Sequence, residues 1–229
     1  VKLQPKIPEV YFNRGNAQYK LKQFESALES FNQAIVLKKD YAEAYNNCGQ
    51  VLQALGRFHD ALLSYEGAIK YSPRLAEAHH NRGLVLNVLN RQEEAIHSYW
   101  YAIQLSPEYV EPYMELANVM HVLGRHSDAI SVFDHLIRVK SNDPSPWNIK
   151  GKYLSKIQRY EEALDCFDHA LQVDNTFFEA FYNAGTVFIH QGKYAQSIEM
   201  FNQALGINNK FADAYFNRGA AMHHLNDLW

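Results

Sequence analysis

Apolar residues return along this chain at spacings of three and four, in paired blocks, and the paired pattern recurs every 34 residues. Over 42–75 the first block is Ala44, Tyr45, Cys48, Gly49, Leu52 and Leu55, and the second is Ala61, Leu62, Tyr65, Ala68, Ile69 and Tyr71, with Gly56-Arg57 as the break between them. Such spacing predicts one apolar face on each of two helices. Ser72-Pro73-Arg74-Leu75 then closes the unit, since proline ends a helix and an apolar residue can staple the first turn of the next. The pattern is written six times without insertion or deletion, in units 8–41, 42–75, 76–109, 110–143, 144–177 and 178–211, with a half copy at 212–229.

Small residues mark fixed places in each unit. The eighth reads Gly15, Gly49, Gly83, Ala117, Gly151, Gly185 and Gly219, and twelve residues on stand Ala27, Ala61, Ala95, Ala129, Ala163 and Ser197. Phe31, Tyr65, Tyr99, Phe133, Phe167 and Phe201 supply a bulky ring four places later. Small residues let two backbones approach, and large ones fill the space beside them. Each unit is therefore a helix hairpin that cannot cover its own apolar face, and stacking covers it.

Units such as AEAYNNCGQVLQALGRFHDALLSYEGAIKYSPRL resemble tetratricopeptide repeats (TPR), and the resemblance covers 8–229. It implies an all-α, right-handed superhelical solenoid of antiparallel helix pairs, six full repeats plus one half repeat, whose first helices line the concave side. We expect a lead-in over 1–7 and one continuous domain over 8–229. The phrases AYNNCG and AEAHHNRG are further similar to the repeat region of protein O-GlcNAc transferases, which implies, as an alternative, a substrate-recognition superhelix attached to a glycosyltransferase domain outside these residues.

The face left free once the packing positions are assigned is rich in amides. Its most regular row is the sixth place, with Asn13, Asn47, Asn81, Asn183 and Asn217, replaced by Glu115 and Ile149 in units four and five. An amide both donates and accepts, so such a row can hold a peptide backbone with little sequence preference; it can equally bond the neighbouring helix. Flanking candidates for a peptide-binding groove are Phe12, Asn46, His80, Met114, Asn148 and Tyr182, then Asn16, Gln50, Asn118 and Lys152, then Asn87 and His121. The family's carboxylate clamp is disfavoured because the fifth place never holds lysine, although Lys20, Lys152 and Lys156 leave isolated cationic points. Trp100 and Tyr101 occupy places that are polar or small in the other units, and they form a possible second docking site on the convex side.

Charge and composition narrow the function. The net charge of −3 comes with scattered lysine and arginine, so no basic stripe is present for a phosphate backbone. No apolar run approaches the ~20 residues of a membrane span. Cys48 and Cys166 stand three units apart, which excludes an internal disulfide and suits a reducing, cytoplasmic setting. No phosphate loop, nucleophile elbow or zinc-protease helix occurs, and the histidines lack a metal-ligand spacing. We expect no cofactor, no metal and no catalysis, but a module that binds an extended or helical segment of another protein, with self-association through Leu225, Leu228 and Trp229 as a further possibility.

Overall fold

A computed structural model describes residues 7–226, and all regular structure in it is helical. The first helices of the units are α1 (Pro8–Lys20), α3 (Ala42–Ala54), α5 (Ala76–Val88), α7 (Val110–Val122), α9 (Ser145–Lys156), α11 (Phe178–His190) and α13 (Ala212–Asn226). The second helices are α2 (Phe24–Leu37), α4 (Phe58–Tyr71), α6 (Gln92–Leu105), α8 (His126–Val139), α10 (Tyr160–Val173) and α12 (Tyr194–Ile207). The starts repeat every 34 residues with one exception: α9 begins a residue late. There Pro144 precedes the helix, and Asp143 Oδ1 accepts a hydrogen bond from the Ser145 N–H at 2.9 Å.

The described residues form two compact units, one up to Ala129 and one from Ile130. In each, a first helix packs on its own second helix, and that second helix packs on the next first helix. First helices also meet across repeats, as in α1 with α3, α3 with α5, and α9 with α11. The second helices α2 and α4, α4 and α6, and α10 and α12 do not. Within each unit the first helices therefore occupy the inner side of the stack.

The eighth-place glycines explain how the hairpins close. A β-carbon at Gly15, Gly49, Gly83, Gly151 or Gly185 would lie 2.5–2.7 Å from the ring of Phe31, Tyr65, Tyr99, Phe167 or Phe201 respectively. Each of those rings is essentially fully buried. The ring thus lies directly against the backbone of the facing helix, where no side chain fits without displacing it.

The turn inside each hairpin uses a second periodic device. Lys22, Gly56, Asn90, Gly124, Gln158 and Gly192 all take positive φ, between 58° and 73°. This left-handed residue lets the following N–H reach back to the first helix, as in Arg57 N–H to Leu52 O at 2.8 Å and Arg159 N–H to Leu154 O at 2.9 Å. A non-glycine residue in this conformation costs about 1–2 kcal/mol. We expect Gln158→Gly to stabilise the protein by about 0.5–1 kcal/mol, net of the greater freedom glycine gives the unfolded chain. Gly192→Ala, where an added β-carbon would meet nothing within 4 Å, should cost a similar amount. Urea midpoints of the two variants check the opposite signs.

Both cysteines are buried and free. Burial pushes the Cys166 thiol up to about 11 and raises Cys48 as well, so both are protonated at neutral pH and act as small packing groups. Among the described residues no helix is long and apolar enough to cross a membrane.

Candidate functional site

The inner face of each unit is tied together by its own amides. In the first unit Asn81 Nδ2 donates to Asn46 Oδ1 at 3.1 Å, Asn46 Nδ2 to Asn47 Oδ1 at 3.4 Å, and Asn47 Nδ2 to Asn16 Oδ1 at 2.7 Å. One chain of amides thus crosses α5, α3 and α1. In the second unit Asn183 Nδ2 donates to Asn148 Oδ1 at 2.7 Å, and Asn217 Nδ2 donates to the Tyr182 hydroxyl at 3.0 Å. Each sixth-place asparagine after Asn13 donates a hydrogen bond to the preceding first helix. Of the two roles the sequence leaves open for this row, bonding to the neighbouring helix is present in the structure. Asn13, which opens the row, is exposed.

Burial separates the flanking candidates. Asn46, Asn148 and His80 are only 2%, 8% and 7% exposed, and Asn81 is equally covered, so these four sit beneath their neighbours instead of on an open face. Residues that close one unit cover the fifth place of its first helix. The Tyr109 hydroxyl meets His80 Nδ1 at 2.7 Å, the Tyr41 ring lies 5.0 Å from Phe12, and Phe211 lies 4.7 Å from Tyr182. Burial holds the His80 imidazole below its ordinary range and pushes the Tyr109 hydroxyl up to about 12, so both are neutral at physiological pH. Met114, Asn118 and Lys152 are exposed, while Phe12, Asn16, Asn47, Gln50, Asn87, His121, Tyr182, Asn183 and Asn217 are half-buried.

Where the amide face opens, it forms a cavity. In the first unit a hollow of about 420 Å³ is lined by Tyr19 of α1, Gln50, Gln53 and Ala54 of α3, and Asn81 and Leu84 of α5. Its polar atoms are half committed. Gln53 Oε1 accepts from the Tyr65 hydroxyl at 3.1 Å, leaving its amide N–H groups directed elsewhere. Gln50 Nε2 donates to Glu77 Oε1 at 2.8 Å, which leaves its carbonyl oxygen to accept. One unspent donor and one unspent acceptor are what an extended backbone, with its alternating C=O and N–H, can satisfy.

The second unit repeats this address three repeats later. A hollow of about 230 Å³ is lined by Lys152, Ser155 and Lys156 of α9, Phe167 of α10, and Asn183 and Thr186 of α11. Lysine, serine and lysine stand where the first hollow has glutamine, glutamine and alanine. The thirteenth-place residues Ala54 and Lys156 escaped the rows predicted for the groove; their signal is that the thirteenth place follows the ninth by one helical turn and shares its face.

On the second helices, Tyr101 is 57% exposed and stacks on His79 with ring centroids 5.5 Å apart, while Trp100 is half-buried. The histidines near the C-terminal end pack on tyrosines, His190 on Tyr160 and His224 on Tyr194. No group of three His, Cys, Asp or Glu side chains among the described residues could hold a metal ion. Of the set predicted for self-association, Leu225 is half-buried, and Leu228 and Trp229 lie outside the described residues.

Models of tetratricopeptide repeats match residues 19–56 and 185–226, 48–110, and 144–177. Together these matches cover well over half of the chain, and the protein belongs to the tetratricopeptide-repeat class. Solved structures agree on the fold. YrrB, described as a TPR protein with an unusual peptide-binding site, is 24% identical with a TM-score of 0.53, over 84% of this chain and 99% of YrrB. The Cut9–Hcn1 hetero-tetramer of APC/C matches at 15% identity and a TM-score of 0.59, over 96% of this chain but 44% of its own. MamA from Desulfovibrio magneticus RS-1, residues 41 to the end, matches at 15% and 0.54, over 75% of this chain and 97% of its own. No curated protein sequence matches.

Proposed function

We propose that this protein binds an extended segment of another protein along the inner faces of its first helices, as a recognition module without catalytic chemistry of its own. Tetratricopeptide repeats serve protein–protein interaction in general, and the residues of this chain give that role a location. The observation that carries the reading is the hollow at Tyr19, Gln50, Gln53, Asn81 and Leu84, where a glutamine donor and a glutamine acceptor remain unspent beside an apolar wall. A segment entering there exchanges water for amide partners on its backbone while its side chains cover Tyr19 and Leu84. The buried amides Asn46, Asn81 and Asn148 set the spacing of the helices that frame the groove, and the ninth- and twelfth-place residues that line the hollow, Gln50 and Gln53, read the ligand.

Display of random peptides on phage, followed by affinity measurement of the selected peptides, tests the proposal. A net hydrogen bond contributes about 0.5–1.5 kcal/mol, so Gln50→Ala with Gln53→Ala should weaken binding by about tenfold or more while the far-UV spectrum stays helical. Unchanged affinity in the folded double variant would place the ligand elsewhere. The resemblance to O-GlcNAc transferase repeats would make the same groove a substrate selector; it adds no residue to those named here.

A further inference from the structure

We propose that His80 and Tyr109 form an acid-sensitive latch, which ties α5 to the start of α7 while the His80 ring is neutral and opens when the ring takes up a proton.

The latch is peculiar to one repeat. Where the residue that closes a repeat covers the fifth place by ring contact, as Tyr41 covers Phe12 and Phe211 covers Tyr182, no proton alters the joint. Of the fifth-place residues, His80 alone can change charge between about pH 5 and 8. Its joint is a hydrogen bond: the Tyr109 hydroxyl meets His80 Nδ1 at 2.7 Å, with the two rings edge-on and their centroids 5.1 Å apart. Tyr109 is the N-cap residue of α7, so this bond fixes the point from which α7 starts.

The bond also decides where a proton can go. The Tyr109 hydroxyl meets no other partner among the described residues, so it donates to Nδ1 and the ring's own proton sits on Nε2. Nε2 is buried and meets no hydrogen-bond partner, and the buried Tyr99 hydroxyl of α6, whose ring lies 6.0 Å from His80, meets none either. A second proton must therefore enter at Nδ1, on the lone pair that the hydroxyl already uses. The hydroxyl has to turn away, and the resulting cation stays in a buried place with its Nε2–H unpaired. Glu111 of α7 and Glu77 of α5 itself favour the charged ring, but burial outweighs them and lowers its pKa. The other charges near α5 are directed elsewhere. Glu115 of α7 bears on the Tyr99 hydroxyl, Glu66 of α4 and Glu94 of α6 pair with Arg82, and α3 brings the neutral Asn46.

The sign of the pH dependence follows. Because the folded ring binds its proton less readily than the unfolded chain does, the stability held in the latch is complete above the unfolded value of about 6.5 and is lost as pH falls below it.

A pH titration of the full chain, followed by NMR of the imidazole nitrogens, tests the latch. At neutral pH His80 is expected to carry its proton on Nε2 and to titrate below about 6.5. Tyr109→Phe deletes only the hydroxyl and should move that midpoint upward, since Nδ1 is then open. The urea midpoint of the parent should fall between about pH 7.5 and about pH 5.5, and should fall less in His80→Asn, which carries the amide that Asn46 and Asn148 place at the same position. His59→Gln, at an exposed histidine, should keep the parent's pH dependence. Over the same interval hydrogen exchange, corrected for intrinsic rates, should accelerate more in α7 than in α3. A neutral His80 protonated on Nδ1, a midpoint at or above about 6.5, or a midpoint unmoved by Tyr109→Phe would overturn the latch. Equal pH dependence of the parent and His80→Asn would overturn it as well. Should His80→Asn fail to fold, the titrations of the parent and Tyr109→Phe decide.

Discussion

Gly83→Leu is expected to destabilise the protein by about 3 kcal/mol or more, although leucine is by far the better helix former. The reason is steric. A β-carbon at Gly83 would lie 2.5 Å from the Tyr99 ring, which is fully buried. Either α5 and α6 separate or Tyr99 leaves its position, and both expose apolar surface. Gly219 provides the control at the same place in the repeat. Nothing lies within 4 Å of its added β-carbon, so Gly219→Ala should gain up to about 1 kcal/mol from helix propensity alone. Chemical denaturation of the two variants separates the close-approach role of the glycine line from any general effect of removing glycine from a helix. Equal behaviour at both sites would show that ring-on-backbone packing does not hold the hairpins together.

Asn46→Ala is the second large effect. Asn46 is 2% exposed; its carbonyl accepts from Asn81 and its amide donates to Asn47, so it joins Asn81 to the Asn47–Asn16 pair, which would otherwise be separate from it. Removing it strands a buried Asn81 donor and opens a small void. Each unsatisfied buried polar group costs about 1–3 kcal/mol, and we expect a total loss of about 2–4 kcal/mol. Asn13→Ala, at the exposed end of the row, should stay within about 0.5 kcal/mol of the parent. The two asparagines look alike in sequence, and denaturant midpoints distinguish them. Similar small effects at both would mean that the amide chain is incidental to the stack.

That pair also marks how far the sequence could be read. The repeat length, the thirteen helices and a close approach at the eighth-place small residues were legible because each is enforced by sterics at a fixed place in the repeat; that the approaching group is a ring of the second helix and not its backbone was not. The sequence marks the break of one hairpin at Gly56-Arg57, and the left-handed conformation suits glycine there, at Gly124 and at Gly192. It was hidden at Lys22 and Gln158, because the backbone there is set by the hydrogen bond that closes the hairpin and not by a residue that prefers it; Asn90 is of a type that takes this conformation readily. The amide face could be found from its period. Which amides are spent could not, since the sixth-place and fifth-place asparagines become partners only when neighbouring first helices pack, 35 residues apart in sequence for Asn81 with Asn46. Burial of His80 under Tyr109 arises in the same way. The pockets needed both the period and the packing: Lys156 and Ala54 join them through a helical turn that the ninth and twelfth places only imply.

On the reading proposed above, ligand recognition occurs on the inner faces of the first helices. Amide chemical-shift mapping of the isotope-labelled protein, titrated with a peptide selected from a random library, tests it most directly. The largest shifts are expected on Gln50, Gln53, Ala54 and Leu84 and on Lys152, Ser155, Lys156 and Thr186. Shifts confined to the second helices, centred on Trp100 and Tyr101, with the first-helix amides unmoved, would contradict it.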